Sequence, residues 1–139
     1  MNEKRVTVFP RSPILRAVDA ENWRLMRDYS DRHSGIYIRR GFLFDGASIP
    51  RALWRVCGHP MRGDILPAAL IHDAMYGAQL VTRADADQWF RSNLELLGMG
   101  SFHAFVFYSA VRAFGWIAWN KNKDGIQRVR KLISIEDKK

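Results

Sequence analysis

Four side chains in two adjoining segments have the types and spacings that chemistry needs: His72, Asp73, Tyr76 and Asp87. His72 and Tyr76 stand four apart, so on a helix they share one face a turn from each other. Asp87 heads the apolar series Asp87, Phe90, Leu94 and Leu97 of the following segment. A short link at residues 79–81 returns that segment against the first, and two facing helices then bury an imidazole, a phenol and a carboxylate together. A buried carboxylate without partners is costly, whereas one that accepts from His72 and Tyr76 is satisfied and holds the imidazole in one tautomer. That is the orienting half of a general-base dyad. Asp73 lies about 100° further round the helix, beside the imidazole, where it is placed to hold a cation. A histidine that takes a proton from water next to a hard divalent ion is a recurrent arrangement for ester hydrolysis.

The same residues admit a plainer reading, in which His72, Tyr76 and Asp87 form a buried polar network that fixes helix register. Asp85, three residues after Thr82, reads as a helix-cap partner. The run Asp45-Gly46-Ala47-Ser48-Ile49-Pro50 reads as a turn and helix start rather than a nucleophile, since it lacks G-x-S-x-G and Ser48 has no sequence-local base. Asp45 joins the site as a second carboxylate if that loop folds back. Cys57-x-His59 with His72 makes a poor zinc set, with one cysteine and no second paired motif. An HD-type phosphohydrolase needs a further upstream histidine on a helix, but His33 lies in a turn and His59 precedes Pro60. H-E-x-x-H and a phosphate-cradling glycine loop are missing.

The elements that must position these groups follow from periodicity. Residues 5–9, 14–18, 23–29 and 36–44 are short β-type runs divided by turn residues, which predicts a small N-terminal antiparallel sheet. Beyond Asp45-Gly46 the period moves from two toward 3.6. Helices are expected at residues 50–56 and 66–80, from Thr82 to a stop at Gly98, and over 101–120, with a basic fifth at 123–134. The stripe of the second is Ile65, Ala68, Ala69, His72, Met75 and Tyr76. The fold class is α+β in a single domain, residues 1–44 β-rich and 45–139 helical, with three or more antiparallel helices.

At 139 residues, 47% hydrophobic and 26% charged, the chain is long enough for one packed core and is not of disordered composition. The lone Cys57 excludes an internal disulfide. The net charge is +8, with nine basic against five acidic residues over 1–44, five against six over 45–99, and eight against three over 100–139. Such basic flanks favour anionic partners. The first ten residues lack the apolar run of a secretory signal. The apolar stretch 102–119 contains His103, Ser109 and Arg112, which makes it a core or interface helix rather than a membrane span.

Four blocks of the sequence, Gly41-Phe42-x-x-Asp45-Gly46-Ala47-Ser48-Ile49-Pro50-Arg51, Ala69-x-x-His72-Asp73-x-x-Tyr76, Ala86-Asp87-x-x-Phe90 and Ala110-Val111-Arg112-x-Phe114-Gly115, resemble a family of tailed phages and prophages, domain of unknown function 1353. The resemblance spans roughly residues 22–120 and implies an origin without an activity. More distantly, the helix pair is similar to that of the phospholipase A2 superfamily, in which one helix bears H-D-x-x-Y and the other an aspartate bonded to the histidine. That resemblance implies His72 as the water-activating base, Asp87 as its partner, Tyr76 as a support and Asp73 as a calcium ligand. The superfamily's glycine-rich calcium loop and disulfides are not recognisable, so oxygens from residues 42–48, Asp45 among them, would have to complete the calcium shell.

Two functional expectations result. One is a phage-type, phospholipase A2-like hydrolase of an ester, a lipid being the natural candidate, acting at an anionic membrane surface with calcium at Asp73. The other is a non-catalytic tail or virion accessory protein whose partners are other virion proteins. Nucleic-acid binding through Lys121, Lys123, Arg128, Arg130 and Lys131 is the weaker reading, since no recognition motif accompanies them. Synthesis in the host cytoplasm, with association with the virion, is the localisation that goes with the phage resemblance.

Overall fold

Asp19 closes the first hairpin: its carboxylate accepts the N–H groups of Glu21 and Asn22 at 2.8 and 2.9 Å, an aspartate turn that needs no glycine. In the computed structural model, which describes residues 12–31, 35–46, 48–57, 62–63 and 65–135, this turn joins β1 (Leu15–Ala17) to β2 (Trp23–Leu25). The strands run antiparallel with Leu15 opposite Leu25, and β5 (Leu43–Phe44) adds to the other edge of β2. The strand expected over residues 5–9, and His33 and His59, lie outside the described residues.

The single small sheet expected from the sequence is two three-stranded sheets. The run 23–29 divides because Asp28 turns away to accept the Tyr37 hydroxyl and the Arg40 N–H, at 2.6 and 2.8 Å. The run 36–44 divides at Gly41, whose φ of 98° lies in the left-handed region open to glycine. Tyr29–Ser30 (β3) and Ile36–Ile38 (β4) then pair with each other. A C-terminal strand, Ile133–Ile135 (β6), completes that sheet by setting Ile133 opposite Ile38 and Ile135 opposite Ile36.

The helices are α1 (Arg51–Cys57), α2 (Leu66–Ala78), α3 (Arg83–Leu96), α4 (Ser101–Phe114), α5 (Trp116–Lys121) and α6 (Ile126–Arg130), with a 3₁₀ turn at Asn122–Gly125. Thr82 caps α3 by accepting the Asp85 N–H at 3.1 Å. The fold is α+β, and its centre is α2, every residue of which is buried. The expected one-sided stripe was too narrow, because alanine and Gly77 let neighbours close in on all faces. A Cβ on Gly77 would stand 3.0 Å from a Val129 methyl, so glycine here admits α6. The last carbonyls of α2 are taken by Arg130, which donates to Ala78 O at 2.7 Å and Gln79 O at 3.0 Å. Arg130 is thus built into the fold, and the segment expected as one basic helix is a 3₁₀ turn, a short helix and a strand.

The long aromatic helix is likewise two, α4 and α5, meeting at Gly115. No helix of the described residues is long and apolar enough to cross a membrane. A Cβ on Gly115 would collide with the Val111 carbonyl and the Tyr76 hydroxyl, so the chain passes Tyr76 at this point only as glycine. Gly115→Ala is therefore expected to lower unfolding free energy by about 1–3 kcal/mol, the usual cost of overpacking, as read by urea denaturation. A neutral result would mean that the contact with Tyr76 has slack to absorb a methyl group.

Candidate active site

Helix α2 brings His72, Asp73 and Tyr76 to one level, and three other segments converge on them. From α3 comes Asp87, which is wholly buried. His72 Nε2 lies 2.7 Å from Asp87 Oδ1, and the Tyr76 hydroxyl donates to the same oxygen at 2.7 Å. Arg112, from α4, donates to Asp87 Oδ2 at 2.9 Å, with Arg83 at 3.4 Å on the same atom. The imidazole is stacked on Phe90, centroids 4.6 Å apart, and tilted against Tyr76 at 4.3 Å. Ring orientation is thus fixed by packing as well as by hydrogen bonds.

The fourth segment is the loop after β5. Ser48 Oγ stands 2.9 Å from His72 Nδ1 and also donates to Asp73 Oδ1. Asp73 Oδ2 accepts the N–H of Gly46 at 3.0 Å and that of Asp45 at 3.3 Å. Asp87, His72, Ser48 and Asp73 therefore form one continuous row.

Charge in the row follows from these partners. Burial works to raise the Asp87 pKa, but the hydrogen bonds from His72, then Tyr76 and Arg112, outweigh it and hold the carboxyl below its usual range. Burial drives the His72 pKa down against the pull of Asp87, so the imidazole is neutral, with its hydrogen on Nε2 facing the ionised Asp87 and a bare Nδ1 facing Ser48. Burial, and then the neighbouring Asp45 carboxylate, push Asp73 up to about 7. Three hydrogen bonds in the row need three protons, and neutral His72 and Ser48 supply two. When Asp73 carries a proton it supplies the third and the Ser48 hydrogen turns toward His72; when Asp73 is ionised Ser48 donates to it instead.

Ser48, Asp73 and Asp45 open onto a groove of about 340 Å³ walled by Phe42, Leu43, Phe114, Ile117, Lys121 and Asn122, among others. The side chains of His72 and Asp87 have no exposed surface, 0% each, so the base communicates with the groove only through Ser48, itself 3% exposed. The structure brings together all five residues singled out from the sequence: His72, Tyr76, Asp87, Asp73 and Asp45. Sequence reasoning set Ser48 aside and gave Arg83 and Arg112 no role. An arginine inside an apolar helix was itself a signal, since such a charge is tolerated only when paired.

The donor set at Asp73 does not fit a resident calcium ion. The loop turns N–H groups rather than oxygens toward the carboxylate, and the Ser48 hydroxyl takes its other oxygen. Among the described residues no group of three or more histidine, cysteine, aspartate or glutamate side chains is arranged to hold a metal.

Residues 23–111 match the family model described as Protein of unknown function (DUF1353), and the chain belongs to that family. It is also similar, at 30% identity over 113 residues, to Uncharacterized protein y4jT of Sinorhizobium fredii (strain NBRC 101917 / NGR234), an alignment covering 77% of this chain and 34% of the relative. The aligned stretch thus spans about a third of that protein's length. No solved structure matches.

A proton on Asp73 has a measurable consequence. With its pKa raised from 3.8 to about 7, the folded state binds more protons than the unfolded one between those values, so this group's contribution to stability is lost as pH rises through them. His72, with a lowered pKa, contributes the opposite slope below 6.5. Asp73→Asn removes the first slope and keeps the second. The difference in melting temperature, variant minus wild type, is therefore expected to climb steadily from pH 4 to pH 7, and a flat difference would place the proton elsewhere.

Proposed function

We propose that the protein is an ester hydrolase in which His72, oriented by Asp87, is the general base. The observation that carries this reading is the unbroken row from the ionised Asp87 through a neutral imidazole to a hydroxyl on the groove wall. A neutral base with a fixed tautomer and a bare nitrogen aimed at an O–H group is what proton abstraction requires. Tyr76 and Arg112 support it indirectly: they hold Asp87 ionised, and Asp87 stabilises the imidazolium that forms as His72 takes the proton. The groove suits an ester with an aliphatic acyl part, since Leu43, Phe114 and Ile117 on its wall are each about half exposed. A lipid acyl ester has that chemistry. The phage or prophage resemblance and the basic flanks go with action on an anionic lipid surface after synthesis in a host cell. No step is assigned to calcium.

A second reading keeps the row as a purely structural tie, in a phage virion or tail accessory protein. The complete burial of His72 and Asp87 favours it, because buried polar networks also serve to fix packing. The two readings differ in what the base does for turnover. In the hydrolase, His72→Gln and Asp87→Asn lower kcat/KM on a short-chain chromogenic ester by about 10²–10⁴-fold, beyond any loss in the folded fraction measured by circular dichroism. If wild-type protein hydrolyses neither that ester nor anionic phospholipid vesicles, or if both variants turn over normally, the structural reading stands instead.

A further inference from the structure

We propose that Ser48 is the nucleophile of this hydrolase, so that the reaction passes through an acyl-serine and needs no divalent cation. The inference rests on the hydrolase reading and says which atom attacks.

His72 Nδ1 is the free nitrogen of the base, and the atom in front of it is Ser48 Oγ at 2.9 Å. A water activated by His72 would have to occupy that same place. The imidazole has no exposed surface through which another water could approach. Ser48 is among the residues lining the groove, which places an ester bound there beside this residue. Asp87, His72 and Ser48 thereby hold the three roles of a serine triad, with the two imidazole nitrogens exchanged relative to the chymotrypsin arrangement. Such sites are defined by geometry and roles rather than by sequence order. The loop is also held in register, since the Gly46 and Asp45 N–H groups anchor it to Asp73, and a nucleophile must be held in place to gain from proximity.

The chemistry balances with water as the only co-reactant. Ser48 Oγ forms a bond to the ester carbonyl carbon as its proton passes to His72 Nδ1. The tetrahedral adduct collapses, the carbon–oxygen bond to the alcohol breaks, and the His72 proton leaves with that alcohol. Water then enters the place beside Ser48 that the departing alcohol has vacated and attacks the acyl-serine, His72 takes its proton and returns it to Ser48, and the acid departs. The Gly46 and Asp45 amides are committed to Asp73, and Lys121 and Asn122, both with donor side chains, are also among the residues lining the groove.

The test combines covalent labelling with a size-reducing substitution. Full-length protein in EDTA is treated with a fluorophosphonate and analysed by intact mass and peptide mapping, and turnover of the chromogenic ester is measured with EDTA and with added calcium. The expected result is one adduct, on Ser48, with labelling and turnover indifferent to calcium. Ser48→Ala and Ser48→Gly then both lose labelling and at least 10²-fold in kcat while melting as cooperatively as wild type. If Ser48→Gly keeps or gains activity, the vacated space has admitted water beside His72 and the nucleophile is water. Strict dependence on calcium would also overturn the inference. Both of those outcomes leave the hydrolase reading intact, whereas wild-type protein that neither labels nor turns over fails both.

Discussion

The buried carboxylate of Asp87 is the constraint around which the rest is arranged. An ion taken out of water is tolerated only if neighbouring donors replace its hydration, and here the donors come from three helices: His72 and Tyr76 on α2, Arg83 on α3 itself, and Arg112 on α4. Each fixes a relative position. Arg112 requires α4 to cross near the start of α3, and Arg83 secures that crossing by donating to the carbonyls of Val111 and Arg112 at 3.0 and 3.3 Å. Where α4 meets α5 the backbone lies so close to the Tyr76 hydroxyl that a Cβ at Gly115 would collide with it. Removing one partner would leave a buried charge undersupplied, which is why such networks fail as units.

Asp73 is adjacent to His72 in sequence yet meets the opposite environment from Asp87. Asp87 is buried among cations and hydroxyls and stays ionised, whereas Asp73 is buried beside another carboxylate and holds its proton toward neutrality. Two carboxyls with pKa values driven apart, joined by a histidine and a serine, make the row electrically asymmetric from end to end. The carboxyl at the groove end stays protonated to higher pH than an ordinary aspartate, and the carboxyl at the buried end stays charged.

The buried end of this row was legible in the sequence and the exposed end was not. His72, Tyr76 and Asp87 could be placed together because helical spacing and a short link are local information, as is the Thr82 cap. Ser48 reaches His72 from 24 positions away through a loop without periodicity, and nothing local says which way such a loop folds. Strand β6 was missed for a related reason: the three residues Ile133–Ile135 follow a basic run and become a strand only because β4 offers them an open edge. Arg130 read as a surface cation because its task, capping α2, lies 51 and 52 residues distant. The two sheets read as one because only long-range pairing, with Asp28 and Gly41 as the break points, separates them.

The span matched by the family model ends at residue 111, and that boundary cuts the site unevenly. Ser48, His72, Asp73, Tyr76 and Asp87 all lie within it, so the row is assembled almost wholly from the shared span, with Arg112 immediately beyond. Much of the groove wall is supplied from outside: Phe114, Ile117, Ala118, Lys121, Asn122 and Val129. These residues are held over α2 by contacts that do not involve the row, namely Gly77 against Val129, the Gln79 amide donating to Trp119 O at 2.8 Å, and Arg130 on the end of α2. A change in that wall can therefore alter the shape of the groove without breaking the hydrogen bonds of the row beneath it. The groove wall and the row beneath it thus rest on largely different contacts, one set mostly outside the matched span and the other mostly within it.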